Sequence, residues 1–378
     1  MSSSSIPGEI QEDIILRLPV KSISRFKSVC KSWCRYINSP TFIKHHLVRT
    51  SKNPRIMIRD AIRGDGTNPF YIVDYDSISS GLSSRKCEPV ARLNYPVSVN
   101  NGVRNPYVDI VGSCNGLLCV IAPVCDTPII WNPSTTEYKE IILPPPDNHL
   151  RWVSYGFGYD RKINDYKLVC LSWEEVYIYR LRSSSSRKLV KNIPCGKVWE
   201  PAGLLLNGAL HWTLAANAIT GEISKIIVVF DISSEKFMSW PFPEEIVLRT
   251  PDSSCYLQVF ENSLCIISSV HAARVDVWVM QNYGVTESWT KPFTTAQERI
   301  TNSPYSLELY WYCINGDILI LVEGRFGIYD QKNDRIKFLN INGLDDGYTY
   351  GQPRCVGGSY VESLVSLNSG TYMRKRRN

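Results

Sequence analysis

The residues from Gly112 to Gly116, Gly-Ser-Cys-Asn-Gly, have the spacing G-x-C-x-G. In a nucleophile elbow this spacing lifts a Ser or Cys out of a strained strand-to-helix turn for attack on a carbonyl carbon. Cys114 would then be the thiol nucleophile of a cysteine hydrolase. Three further positions could carry chemistry. Cys30 and Cys34 are close enough to open a zinc site, but no second pair at ligand spacing follows them. The stretch GFGYD at 156–160 begins like a phosphate-cradling loop, yet it lacks a third glycine and a helix behind it. His211 stands beside Trp212 in an apolar run, where a single imidazole is expected to be a hydrogen-bonded core residue and not a general base. The sequence contains no G-x4-G-K-[ST], H-E-x-x-H or G-x-S-x-G. No metal, no cofactor and no catalytic residue are therefore expected.

Whether Cys114 sits on an elbow depends on the elements around it. An elbow needs a helix directly after the turn, and LLCVIAPV, from Leu117 onward, has no helical spacing of its apolar residues. The pattern of apolar run, two-residue turn and second apolar run recurs at Asn207-Gly208, Asn262-Ser263 and Asn315-Gly316. Asn-Gly is a strong hairpin signal, because a type I′ turn needs positive φ at both central residues. Asn115-Gly116 is thus read as a hairpin turn, with Cys114 a small packed hydrophobe before it.

These turns recur at intervals of roughly fifty residues, with one double interval, and strand-built repeats of that length are propeller blades of the kelch kind. Apolar strands closing on polar turns mark the repeats: PIIWNPSTTEYKEI, IIVVFDISSEKFMSW, VDVWVMQNYGVTESW and RFGIYDQKNDRIKFL. In the first, Asn132-Pro133 starts a turn that Trp131 and Tyr138 flank as anchors. YGFGYDRKINDYKLVCLSWEEVYIYRL fills the double interval, and Ser183–Ser186 reads as a loop tip behind it. Residues 51–110 supply one more, less regular blade. About six blades are expected in all.

Before residue 50 the periodicity is helical. PGEIQEDIILRL places Ile10, Ile14 and Leu18 on one face, with Glu9, Glu12 and Asp13 in the first turns, and Pro19 stops it. Ile23, Phe26, Cys30, Trp33 and Ile37 follow as a second helical stripe, and Ser39-Pro40 starts a third helix carrying Phe42, Ile43 and Leu47. Three short helices cannot bury so much apolar surface among themselves. The surplus marks a partner interface, unless the helices pack on the rest of the chain.

The 378 residues carry a net charge of +6, which suggests nucleic acid until it is located. The basic excess lies in the first fifty residues and in RKRR at 374–377, while the middle of the chain is slightly acidic. A nucleic-acid binder would spread a basic stripe over its main domain, so none is expected here. There is no run of 18 apolar residues, so no membrane span, and residues 1–5 lack the shape of a signal peptide. The 12 cysteines of such a chain are expected to be free thiols.

IPGEIQEDIILRLPVKSISRFKSVCKSWCRYINSPTFIKHHL closely resembles the F-box motif, with Gly8 departing from the family's usual acidic or helix-favouring residue. SCNGLLC, IIWNPSTTEY, YGFGYDRKINDYKLV, LLLNGALHW, VVFDISSEKF and YVESLVSL resemble, in order, the plant F-box-associated domain. The resemblance implies a small all-α F-box module at 1–48, an all-β, kelch-like propeller at 49–367 and a basic tail at 368–378. It also implies a non-catalytic substrate-recognition subunit of a Skp-cullin-F-box (SCF) ubiquitin ligase. Contacts to the Skp-type adaptor, and through it to cullin and the RING subunit, would come from Ile6, Pro7, Ile10, Ile14, Leu18, Pro19, Phe26, Val29, Cys30 and Trp33. Client contacts stay unassigned; the inter-strand segments 144–152, 182–191, 215–225 and 250–256 are the expected place for them. The similarity extends to proteins of pollen self-incompatibility and of immune-receptor control. A cytoplasmic address is expected, with the nucleus open through the basic tail. The alternative is a ligase-independent interaction scaffold.

Overall fold

The computed structural model describes residues 7–60, 69–74, 86–87, 89, 91–93, 108–121, 127–144, 154–172, 175–189, 197–198, 202–217, 223–247, 254–260, 262–270, 274–296, 307–314, 317–322, 325–330, 332–333, 335–341 and 355–367. Ile6, the turn Asn315-Gly316 and the tail 368–378 lie outside the described residues.

Four helices open the chain: α1 (Gly8–Leu16), α2 (Val20–Phe26), α3 (Lys31–Ile37) and α4 (Pro40–Thr50). The sequence pattern predicts three, because it runs Ile23 to Ile37 together as one stripe. The stripe is cut at residues 27–30. There the N–H groups of Ser28 and Val29 close onto the carbonyls of Arg25 and Phe26 at 3.1 Å each, and Cys30 becomes extended at φ −158°. Its sulfur accepts the Trp33 N–H at 3.5 Å and caps α3. Leu18 also falls outside the helix expected to carry it, since α1 ends at Leu16, and Pro19 serves as the N-cap of α2. Ser39 and Pro40 start α4 as expected, with Ser39 Oγ accepting the Phe42 N–H at 3.2 Å.

Behind the helices stand six antiparallel sheets, five of four strands and one of five, the blades of a propeller. Blade 1 takes Asp109–Cys114, Leu117–Ile121, Pro128–Asn132 and Glu137–Glu140. Blade 2 takes Ser154–Asp160, Asp165–Leu171, Val176–Arg180 and Ser185–Leu189. Blade 3 is built on Ala209–Asn217, Ile223–Asp231 and Lys236–Pro241, with Lys197–Val198 and Leu204–Leu206 both pairing to the first of them. Blade 4 runs from Ser254–Phe260 to Trp289–Ala296 and blade 5 from Leu307–Ile314 to Arg335–Phe338. Blade 6 is split. Arg55–Asp60, Phe70–Val73 and Ala91–Leu93 precede blade 1, while Cys355–Tyr360 follows blade 5 and pairs Ile56 with Ser359 and Met57 with Gly358. The blade expected within 51–110 thus exists, but a strand from the far end of the chain completes it. Closing the ring removes the sheet edge that would otherwise stand open between first and last blade.

The seams between blades are apolar because each sheet buries both faces. Met57, Phe70 and Ile72 meet Val120, Ile129 and Trp131 between blades 6 and 1. Val169 and Ile178 meet Leu210, Trp212 and Phe230 between blades 2 and 3. Such side chains contribute about 1.5–3 kcal/mol each when fully buried. Gly156 makes room for Trp212: a Cβ there would stand 2.7 Å from the indole Cζ2, while the indole N–H donates to Ser154 Oγ at 2.9 Å. GFGYD therefore makes space for a ring and not for a phosphate.

Two of the turns follow the chemistry read from the sequence: Asn115 and Gly116 have φ of 53° and 79°, and Asn207 and Gly208 of 50° and 78°. Asn262-Ser263 departs from it, since only Asn262 has positive φ, at 60°, and Ser263 already belongs to the following strand. A second device was not visible beforehand: an Asp or Asn at a strand end accepts N–H groups from its own turn. Asp160 takes Lys162 at 2.9 Å, Asp231 takes Ser234 at 2.6 Å and Asp330 takes Lys332 at 3.1 Å. Trp131 is buried as expected of an anchor, but Tyr138, its cross-strand partner, is exposed. Of the segments expected to contact a client, residues 182–189 form a hairpin tip and outer strand instead of a loop, and 215–217 and 223–225 prolong central strands of blade 3. Residues 145–152, 190–191, 218–222 and 250–253 lie outside the described residues.

Candidate functional site

The helical module has two apolar faces. On the outer one, Ile10 and Ile14, one turn apart on α1, are 52 % and 47 % exposed, and Val29, at the crest of the α2–α3 turn, is 62 % exposed. Pro7, Pro19 and Cys30 are exposed beside them. Leu18, Phe26 and Trp33 are half-buried against the core beneath, and the rings of Phe26 and Trp33 meet at 5.2 Å with a 56° tilt. The break at Cys30 makes that ring contact, since it folds α3 back on α2. The Ser32 hydroxyl, 3.0 Å away, and then the Trp33 N–H hold the Cys30 thiol below its ordinary pKa.

The α1–α2 turn is held from behind. His46 of α4 is buried and its Nε2 bonds the Leu18 carbonyl at 3.1 Å. Burial pushes its pKa down, partly offset by that carbonyl. Burial, and then the Glu12 carboxylate, push the phenol of Tyr36 up to about 12.

The inner face carries Ile15, Val20, Ile23, Ile37, Phe42 and Ile43, all buried. They share one cluster with Val111, Leu117 and Tyr155 of blades 1 and 2 and with Leu364, Val365 and Leu367. Residues 361–367 thus form a strap that leaves blade 6 and passes between the helices and blade 1. Glu362 fixes its start: the carboxylate pairs with Arg55 and accepts the Val20 N–H at 3.4 Å, and the carbonyl accepts Thr50 Oγ1 at 3.0 Å. Asn132 then donates through Nδ2 to the carbonyls of Ser363 and Val365 at 3.0 and 2.7 Å. Glu137 accepts the Leu367 N–H at 2.6 Å and also faces Lys27, whose pKa is lowered by burial and partly restored by that carboxylate. The propeller therefore does not have a core separate from the helices. Sequence reading missed the strap; its one signal is a charged Glu362 inside the otherwise weakly polar run YVESLVSL.

The remaining candidates are structural. Cys114 is buried on the strand before its turn, and desolvation pushes its thiol up to about 12, the opposite of what a nucleophile needs. His211 is buried between the Leu204 carbonyl at 3.1 Å and the Tyr283 hydroxyl at 2.9 Å, and burial lowers its pKa to about 4. Among the described residues no three His, Cys, Asp or Glu side chains group as metal ligands, and no helix is long and apolar enough to cross a membrane.

A helical module with an uncovered apolar face, seated on a closed six-bladed propeller, is the architecture the described residues define. Residues 3–45 match the F-box domain and residues 69–367 the F-box associated beta propeller domain. The chain belongs to the family of F-box proteins that carry this propeller. Among similar proteins, F-box protein CPR1 of Arabidopsis thaliana is 29 % identical, with 79 % of this chain and 75 % of that protein aligned. An F-box/kelch-repeat protein of the same plant is 27 % identical over 92 % of this chain and 95 % of its own length.

Proposed function

We propose that this protein is the substrate-recognition subunit of an SCF-type ubiquitin ligase and makes no covalent bond itself. The observation that carries the reading is the two-faced helical module: one apolar face is consumed by the propeller and the strap, and the other, with Ile10, Ile14 and Val29, is left for a Skp-type adaptor. Residues 1–48 would bind the adaptor, with Ile6, Pro7, Leu18, Pro19, Phe26, Cys30 and Trp33 completing the surface, and residues 49–367 would hold the client. Because the strap joins the two parts, a bound client would stand at a fixed place relative to the adaptor. A client lysine near activated ubiquitin then gains a high effective concentration. The sequence resemblance offers two settings for the client, pollen self-incompatibility and immune signalling, and affinity capture with mass spectrometry decides between them.

Calorimetric titration with the adaptor tests the reading. Leu18→Ala/Pro19→Ala should cost about 2 kcal/mol, roughly thirtyfold in affinity. Leu18 touches the shared core, so Ile14→Lys/Val29→Lys is the cleaner variant: both residues are exposed, and the helical circular dichroism of the variant should match that of the unaltered protein. Unchanged adaptor affinity in this second variant would leave a ligase-independent scaffold as the better reading.

A further inference from the structure

The outer hairpin of blade 2 joins Val176–Arg180 to Ser185–Leu189 through a tip of four residues. Ser183, Ser184, Ser185 and Ser186 are all exposed there, on the outermost strand and its turn. The tip is already anchored, since Lys139 of blade 1 donates to Ser184 Oγ at 2.7 Å and to the Leu181 carbonyl at 3.2 Å.

Strand register decides which serine is special. Arg180 lies directly opposite Ser185, so the two side chains share one face of the hairpin, and Arg187, two residues beyond Ser185, shares it too. Both arginines turn to one carboxylate, Glu235 of blade 3: Arg180 Nη2 is 3.3 Å from it and Arg187 pairs with it as well. Glu235 also receives buried Lys167 at 2.7 Å, which shares a second carboxylate, Asp160, at 2.6 Å. Lys167, Arg180 and Arg187 thus gather around Glu235 and Asp160, with buried Asp165 also acting on Arg180, and Arg180 Nε is a buried donor with no hydrogen-bond partner. The sequence before Ser185 adds a recognition element. Arg180 and Arg182 precede it by five and three residues, a cationic approach that suits an acidic substrate cleft.

We infer that Ser185 is a phosphorylation site for a basophilic Ser/Thr protein kinase, and that Arg180 and Arg187 hold the phosphate. The γ-phosphoryl group of ATP passes to Ser185 Oγ. The new O–P bond forms as the bond to the β-phosphate oxygen breaks, ADP leaves, and the hydroxyl proton goes to the kinase's base. The product dianion lies between two guanidinium groups that otherwise rest on Glu235, so modification exchanges ion pairs at the seam of blades 2 and 3.

Full-length protein with magnesium-ATP and a purified basophilic kinase catalytic subunit, read by peptide mass spectrometry, tests the site. Phosphate should appear on Ser185 and fall about tenfold or more in Ser185→Ala and in Arg182→Gln. No incorporation into the folded chain, or incorporation that Ser185→Ala leaves unchanged, overturns it. Phosphorus NMR tests the arginine pair: the phosphate's second pKa should lie about half a unit or more below its usual value near 6. Arg187→Gln, outside the approach to the kinase, should restore it. A titration identical to that of the same protein unfolded in urea overturns the pairing.

Discussion

Blades 1 and 3 carry the same turn dipeptide in the same conformation and put it to different use. Asn115-Gly116 and Asn207-Gly208 differ by 3° or less in φ at each position. A Cβ added to Gly116 would overlap the Ser363 side chain and the Val361 carbonyl of the strap, whereas nothing lies within 4 Å of the same position on Gly208. The contrast repeats at the third strand of each blade. Asn132 accepts the Ser134 N–H at 2.9 Å and also donates twice to the strap, while Asp231 accepts the Ser234 N–H of its own turn. Local sequence sets the turn, and what the fold lays over it decides how much the turn matters.

Substitution at the two glycines gives the widest separation. Gly116→Val combines positive-φ strain with overlap of the strap and should cost about 4 kcal/mol, against about 2 kcal/mol for the strain alone in Gly208→Val. Urea unfolding followed by tryptophan fluorescence measures both, and equal losses would break the comparison. Next, Asn132→Ala leaves two strap carbonyls unpaired and should cost about 3 kcal/mol; Asp231→Ala should cost a small fraction of that in the same assay.

Acid should sharpen the comparison from the other side. Burial holds His211, at the seam of blades 3 and 4, near 4, below the ordinary 6.5. The unfolded chain therefore binds a proton that the folded chain refuses, and this part of the stability, full above pH 6.5, is lost as pH falls toward 4. The loss should be about 2 kcal/mol over that window. Thermal melts from pH 7 to 5 should show a flatter slope in His211→Gln, which separates the far blades from His46, held down by burial in α4. A loss of about 1 kcal/mol is expected at Cys114→Ser, for a thiol that only fills space. A maleimide time course should label exposed Cys30 early and Cys114 late; early labelling of Cys114 would revive the elbow.

What could be read from the sequence was what is local. The Asn-Gly hairpins, the fifty-residue period and the Ser39-Pro40 start of α4 are each encoded within a few residues, so six blades behind a helical module could be anticipated. The cut at Cys30 could not, because apolar spacing continues across it and cysteine is a rare cap. Blade 6 was legible only in part, since its fourth strand lies about 300 residues from its partner, beyond any periodicity. The candidate adaptor surface emerged from pattern and resemblance. Its reverse face did not, because Ile15 and Ile14 are adjacent isoleucines in the chain and only the fold sends one inward and leaves the other out.

The split sixth blade also sets a timetable. At a synthesis rate of about 5–20 residues per second, Arg55–Asp60 leaves the ribosome some 15–60 seconds before Cys355–Tyr360 arrives to pair with it. During that interval blade 6 has an open edge, and the helices lack the strap that covers Val20, Ile23 and Phe42. Stray association of the nascent protein is thus expected to be greatest before Cys355–Tyr360 pairs with Arg55–Asp60, and ring closure is expected to seat the helices at the same step.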